Sequence, residues 1–388
     1  MLVVLGSLVA MGPWTVDAYL PAFPEMATDL RASPAQIQLT LTSALVGLGA
    51  GQLLLGPLSD SLGRKRPLLL GILLHIGASI AAAMAPSTEV LVGLRFVQGV
   101  GSAAAAVIAM AIVRDLYDGA RLAATLSRLM LITGVAPTVA PSFGAQLLQV
   151  ADWRGIFLGL AGIGTLVFGV AALLIPETLP PTQRTPFRAR TVTRTYHQQL
   201  ANTRFVRYVG IVAGCATLMF IYIAGSPFVL QEQFGASQRA YGWIFGGGAV
   251  VLTVTPQLTP LMLRHYRPTT LLLVLLPGTV CASAALLVTA YFDLLEVELA
   301  VVLIWTMLGI VGCATPIATA LALTQVHSGA GSAAAVLGAA RFVLAASCAP
   351  LVGLMTLFLN AAAAMGLVMV VLSVLSCIVL WAGTRHDR

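Results

Sequence analysis

Charge is what this sequence has least of. Only 9% of its 388 residues are Asp, Glu, Lys or Arg, against roughly 25% in soluble domains. So few charges cannot clothe a water-soluble surface. With 59% hydrophobic residues and a mean hydropathy of +0.94, the chain reads as a protein dissolved in lipid. No GxxxxGK[ST] phosphate loop occurs, which excludes ATP hydrolysis by that route. Neither a HExxH metal motif nor a convergent nucleophile and base lies in the apolar segments, which argues against a membrane enzyme. Cysteine is scarce as well. None of the five makes a CxxC pair, so neither a disulfide framework nor a zinc knuckle is indicated. Cys215, Cys281, Cys313, Cys348 and Cys377 read as small buried residues in apolar segments. The sequence calls for no cofactor and no metal.

What is present is a series of runs without one charged side chain: 32–59, 67–88, 96–113, 129–151, 155–176, 208–231, 240–263, 268–292, 299–340 and 342–384. Spanning a bilayer takes about 20 apolar residues. Eight runs fit one helix each, and the helix of 96–113 extends back through Arg95. The last two are roughly double length and divide at 327–331 and near 355–360. Residues 1–22 form one more helix. They lack a basic leader region, so they read as a retained span rather than a signal peptide. Almost no tail precedes them, which raises the expectation of residues upstream. The prediction is an all-α integral membrane protein of twelve spans, near 1–22, 38–59, 68–86, 90–113, 126–148, 154–175, 206–228, 240–262, 269–291, 299–323, 330–352 and 358–381.

Positive charge sets the orientation. Sixteen of the twenty-one Lys and Arg fall in alternate connections and the C-terminal tail. The opposite connections hold Arg31, Arg154 and Arg239 together with Glu25, Asp29, Glu89, Asp152, Glu232, Asp293, Glu296 and Glu298. Both termini are therefore expected in the cytoplasm, with the chain in the inner membrane of a bacterium. The net charge of +7 is then a matter of topology. Nucleic-acid binding would need a basic folded surface, and none is indicated. One connection is long: 177–205 is basic, polar and proline-containing. It reads as a cytoplasmic linker between a six-helix bundle at 1–176 and another at 206–388, the plan of a two-bundle secondary transporter. The expected partners are the bilayer, a small-molecule substrate and protons, with no required protein partner.

Residues 56–67, GPLSDSLGRKRP, fall between the second and third spans. Positive-inside anchoring accounts for Arg64, Lys65 and Arg66. It does not account for Asp60, a carboxylate facing the negative end of its own helix. Gly56 and Gly63 permit close approach and a tight turn. The stretch is expected to act as a cytoplasmic latch holding this turn against neighbouring helices.

The same stretch, GPLSDSLGRKR, resembles the cytoplasmic-loop signature of the major facilitator superfamily. More narrowly, the chain is similar to the Bcr/CflA group of drug:proton antiporters, which includes bicyclomycin and chloramphenicol exporters. The resemblance rests on DAYLPAFP (17–24), IQLTLT (37–42), GQLLLGPLSD (51–60), LRFVQG (94–99), IVRD (112–115), DWRGIF (152–157), PET (176–178) and GSPFVL (225–230). It covers nearly the whole chain and implies the major facilitator fold. It also implies export driven by a proton gradient, and a coupling role for the arginine of LRFVQG, Arg95. Three features depart from the group: GVAPTVAPSFGA at 134–145, Ile317 after Pro316, and Arg341 in the eleventh span.

Three charges lie well inside predicted spans: Asp17, Arg95 and Arg341. Each costs several kcal/mol in hydrocarbon unless paired or hydrated. At about 1.5 Å per residue, Asp17 and Arg95 lie at similar depth, in the outer half of the first bundle. They read either as a coupled pair at a polar cavity or as interfacial groups reaching water. Asp17 is the only carboxylate inside any span and so the candidate proton carrier. Arg341, roughly 15 Å into its helix, reads as a binder of an acidic or carbonyl-bearing substrate or as a structural cation. Gln98, one turn from Arg95, either orients the guanidinium, contacts cargo or packs. His75 reads as a histidine facing a neighbouring helix, with titration near neutral pH as the alternative. Trp14, Tyr19, Tyr222, Phe228 and Trp243 are candidates to line a pocket for flat apolar cargo, with lipid-facing or interfacial positions as the alternative. Pro137, Pro141, Pro227 and Pro316 are expected to bend their helices. The leading expectation is a proton-coupled exporter of small amphipathic compounds. The alternative is an exporter or importer of a sugar, nucleoside or carboxylate, with a membrane enzyme more remote.

Overall fold

The computed structural model describes residues 1–184, 189–326 and 330–386. All the regular secondary structure among the described residues is helical. In chain order the helices are α1 (Leu2–Asp17), α2 (Phe23–Asp29), α3 (Pro34–Leu62), α4 (Lys65–Ala83), α5 (Thr88–Leu116), α6 (Gly119–Leu147), α7 (Trp153–Leu174), α8 (Ala189–Leu200), α9 (Thr203–Pro227), α10 (Gln238–Val254), α11 (Thr259–Met262), α12 (Pro268–Tyr291), α13 (Val297–Thr324), α14 (Ala330–Met355) and α15 (Ala361–His386). Eleven of the described helical stretches are long and apolar enough to cross a membrane. α6 is a further helix of 29 residues, several of whose side chains lie outside the described set. Every predicted span finds its helix. The break placed at 327–331 falls largely outside the described residues, between the end of α13 and the start of α14. One helix was not anticipated: α8, polar and amphipathic, lies within the stretch read as linker.

The surface inverts the arrangement of a soluble protein. Leu173, Val274, Leu166 and Val150 are exposed, whereas Arg95, Gln98, Thr15, Ser102 and His75 are buried. Apolar side chains face outward because lipid is the solvent there, and the polar ones retreat inside to find hydrogen bonds.

The chain divides into two compact units. The first comprises residues 1–32 and 43–192, the second residues 33–42 and 193–388. The first has a core of Leu5, Leu8, Leu68, Ile72, Ile108 and Ile112, drawn from α1, α4 and α5. Close approach there depends on absent side chains. A Cβ on Gly47 would strike the Phe96 carbonyl, and one on Gly99 the Ala44 carbonyl, so α3 and α5 touch backbone to backbone. In the second unit α9 is the innermost helix, buried over nearly its whole length. It ends at Pro227 and passes into a π-helical turn, Phe228–Gln233. Pro137, Pro141 and Pro316 lie within unbroken helices. The first turns of α3 belong to the second unit through Gln38. Its amide donates to the Ala224 carbonyl (3.2 Å) and accepts from the Gly353 N–H (2.9 Å).

Candidate functional site

The helical period places Arg95, Gln98 and Ser102 on one face of α5, and His75 and Ser79 one turn apart on α4. α1 ends at Asp17, so its last carbonyls lose their intrahelical donors. These three edges meet in a buried polar network. Arg95 Nη2 donates to the Thr15 carbonyl (2.9 Å), and Nη1 donates to Gln98 Oε1. Gln98 Nε2 donates to Ser79 Oγ (2.6 Å), which donates to the His75 carbonyl (2.7 Å). Ser102 Oγ lies 3.0 Å from His75 Nδ1 and 2.8 Å from Thr15 Oγ1. The guanidinium also stacks on Tyr19, 4.0 Å from the ring centroid. The network thus runs unbroken from Arg95 to His75 across three helices.

Asp17, two residues after Thr15 on α1, is buried and does not join this network. Its Oδ1 has no hydrogen-bond partner, and neither has Arg95 Nε. The Asp17–Arg95 ion pair considered from sequence does not form in this structure: Arg95 spends its two terminal nitrogens on Gln98 and Thr15 instead. On its other side His75 borders a cavity of about 280 Å³, which Ser7, Met11, Trp14 and Gly164 also line. Tyr19 packs on Phe23 and Phe157 as well as on Arg95, so its ring is a wall of the arginine site.

The latch residues occupy a second cluster in the same unit. Gly63 has φ +93, the left-handed conformation that a turn between α3 and α4 needs, and a Cβ there would strike Glu177. This turn presents Arg64 to two carboxylates, Asp60 (2.5 Å) and Asp115 (2.9 Å), and to Ser59 Oγ (2.8 Å). Glu177 caps the start of α4, accepting from the N–H groups of Arg64 (2.8 Å) and Lys65 (3.3 Å). Thr178 Oγ1 donates to Asp115 (2.9 Å), and Lys65 Nζ donates to the Ala172 carbonyl near the end of α7 (2.8 Å). Burial pulls the Arg64 guanidinium down in pKa, but its hydrogen bonds to Asp115 and Asp60 outweigh this and raise it. Burial pushes Glu177 up, yet the N–H groups of Arg64, Leu179 and Lys65 and the charge of Arg184 bring it below the usual carboxylate value. Arg66 is exposed and outside this cluster. Gly56 has ordinary packing room, with Val107 3.8 Å from where a Cβ would stand.

The second unit carries an aromatic group. Tyr222 stacks on Phe245 with ring centroids 5.3 Å apart, and Tyr241 hydrogen-bonds Ser226 (3.2 Å). Phe228 is buried. Trp243 is 73% exposed and so faces away from this group. Arg341 lies in α14, near the Cys215 thiol of α9.

Sequence reasoning missed several of these residues. Asp115 and Glu177 stood inside the motifs IVRD and PET without a role. Trp305 packs on α10 where Gly247 and Gly248 leave room, and a run of three glycines, Gly246–Gly248, was the available signal. The cysteines are free, and Cys281 is exposed rather than buried. Among the described residues no cluster is arranged to hold a metal ion.

Comparison with known proteins places this geometry in context. A profile described as Major Facilitator Superfamily matches residues 3–351. A Bacillus subtilis (strain 168) protein named "Uncharacterized MFS-type transporter YdgK" is 36% identical over 389 residues, covering 98% of this chain and 94% of the relative. A Haemophilus influenzae "Bicyclomycin resistance protein homolog" is 30% identical over 353 residues, covering 90% of this chain and 88% of the relative. In fold the chain is similar to the xylose transporter XylE from E. coli in a partially occluded inward open conformation. That match has a TM-score of 0.76 at 14% identity and covers 98% of this chain and 96% of the other.

Proposed function

The chain belongs to the Major Facilitator Superfamily, as a multi-pass membrane transporter of small solutes, and we propose that it is a proton-coupled exporter of amphipathic compounds in the inner membrane of a bacterium. Several curated relatives are named multidrug resistance proteins, including one from Shewanella sp. (strain ANA-3) at 32% identity over 279 residues. With the bicyclomycin resistance homolog, these names support drug-like cargo and a place near the Bcr/CflA group. The basic connections support cytoplasmic termini. A cysteine at Thr191 that reacts only from the external face would overturn that orientation.

The observation that carries the coupling role is Asp17. It is a carboxylate buried inside a span, with an oxygen that has no hydrogen-bond partner. An ionised carboxylate left alone in a low-dielectric interior costs several kcal/mol. Two states relieve that cost: Asp17 holds a proton, or water reaches it and solvates its charge. The first state is entered when a proton binds the carboxylate oxygen, and the second when that proton leaves to water. Cargo that enters and excludes water biases this choice, and so couples proton release to cargo binding. Alternating access then exposes the site to one side of the membrane and then the other. Gln98 and the Thr15 carbonyl hold the Arg95 guanidinium in place. The latch around Arg64 is proposed to steady the cytoplasmic turn during the cycle.

Transport in proteoliposomes tests this reading. Purified protein with an imposed pH gradient is expected to drive a drug uphill, and Asp17→Asn is expected to abolish that movement. Uphill transport by Asp17→Asn at the wild-type rate would defeat the assignment.

A further inference from the structure

The second unit holds a charge that the protein itself does not balance. Its apolar runs 208–231, 240–263, 268–292, 299–340 and 342–384 contain neither Asp nor Glu. Arg341 interrupts the last two, about eleven residues into α14, so no carboxylate shares its depth in that unit. Among the described residues the guanidinium makes no hydrogen bond and no ion pair. The Cys215 thiol is its one described electrostatic neighbour. A thiol brings no full charge to neutralise a guanidinium. Arg341 is half-buried and keeps accessible surface.

An unpaired cation inside a membrane span is expensive. Arg95 shows how this protein satisfies a cation that serves the fold: Gln98, a freed carbonyl and an aromatic face are all supplied. Nothing comparable is supplied to Arg341. The runs on either side of it in the chain, 299–340 and 342–384, carry no other charge.

From this we infer that Arg341 is the anion-binding group of the cargo site, and that the preferred cargo is an amphipathic monoanion, a carboxylate on an apolar body. One guanidinium offers a planar fork that matches one carboxylate bidentately, and the charge-free spans suit an apolar body. A dianion would carry a second charge with no counterpart in these spans. The inference rests on the transporter reading for the word cargo, but the anion site stands without it.

Binding to the purified full chain in detergent tests the site directly, with salicylate and its neutral analogue salicylamide as probes. Thermal stability is followed as each is titrated. Wild type is expected to respond to salicylate at a concentration about tenfold or more below that needed for salicylamide, as a charge-assisted contact implies. Arg341→Gln should lose the preference, and Arg341→Lys should retain part of it. Without ligand, Arg341→Gln and Arg341→Met should melt at or above the wild-type temperature, because each removes an unbalanced charge. A marked fall in both would make Arg341 a structural cation and overturn the inference. So would equal responses to the two probes in wild type. Chloride is the control for a small inorganic occupant. Competition between chloride and salicylate supports the site, whereas stabilisation by chloride alone overturns the organic cargo. The two readings fail differently. Salicylate binding through Arg341 with no transport in proteoliposomes would sink the transporter reading and leave the anion site. Transport of neutral and cationic drugs only, unchanged in Arg341→Gln, would sink the anion site and leave the transporter.

Discussion

Arg95 and Arg341 are the two arginines deep in the spans, one in each unit, and the protein treats them in opposite ways. Arg95 is fully buried and held by Gln98, the Thr15 carbonyl and the Tyr19 ring. Arg341 has no hydrogen-bond or ion-pair partner among the described residues and keeps some accessible surface. A cation given partners by the chain is part of the fold and of the chemistry next to it. A cation left without them is available to a ligand. Depth in the membrane alone does not separate these roles; the hydrogen-bond inventory does.

The largest effect is expected where that inventory is removed. Arg95→Ala leaves Gln98 Oε1 and the Thr15 carbonyl without a donor, at about 1–3 kcal/mol for each buried group. It should lower the melting temperature clearly and eliminate coupled transport. Arg95→Lys should recover stability better than transport, since an ammonium cannot reproduce the fork. If Arg95→Ala melts like wild type while Arg341→Gln is destabilised, the contrast between the two arginines is reversed.

The latch offers a graded version of the same contrast. Both Asp60 and Asp115 face Arg64, but the Asp60 side chain is 49% exposed and the Asp115 side chain 17%. Exposed ion pairs contribute roughly 0–1 kcal/mol. Asp115→Asn is therefore expected to slow transport more than Asp60→Asn, with membrane insertion intact in both. Equal, wild-type rates in both variants would reduce the cluster to a topological loop.

A smaller effect concerns pH. The carboxyl of Glu177 is held below its usual value of 4.5 by the N–H groups it caps. A depressed carboxylate stabilises the folded state above its unfolded value, and that contribution is lost as pH falls through the folded value. The melting temperature of wild type should therefore fall on acidification below about pH 4.5. Glu177→Gln should be less stable at neutral pH and show a shallower acid dependence. Parallel acid profiles for the two proteins would remove Glu177 from the latch.

Much of the helix plan was legible because lipid imposes it. A span must satisfy its backbone internally and carry apolar side chains, so charge-free runs of the right length announce themselves. α8 did not, because its sequence carries Arg190 and Arg194 among polar residues and has no apolar run. Asp17, Arg95 and Arg341 were visible as charges out of place. Their partners were not. Thr15, Ser79 and Ser102 are ordinary residues in membrane helices, where hydroxyls commonly bond a carbonyl one turn back, as Thr165 bonds Ala161. Only the crossing of α1, α4 and α5 brings them together. Asp115 and Glu177 are separated from Arg64 by 51 and 113 positions, and no local pattern foretells such a meeting. Trp243 shows the converse: an aromatic in a span suggests a pocket, but only the packing tells which face it occupies.

The most direct test of coupling at Asp17 is drug-stimulated proton release by the purified protein in detergent, followed with a pH-sensitive dye. Wild type is expected to release protons when drug is added, and Asp17→Asn to bind drug without releasing them. If Asp17→Asn releases protons as wild type does, Asp17 is not the coupling site, and proton release runs through another group.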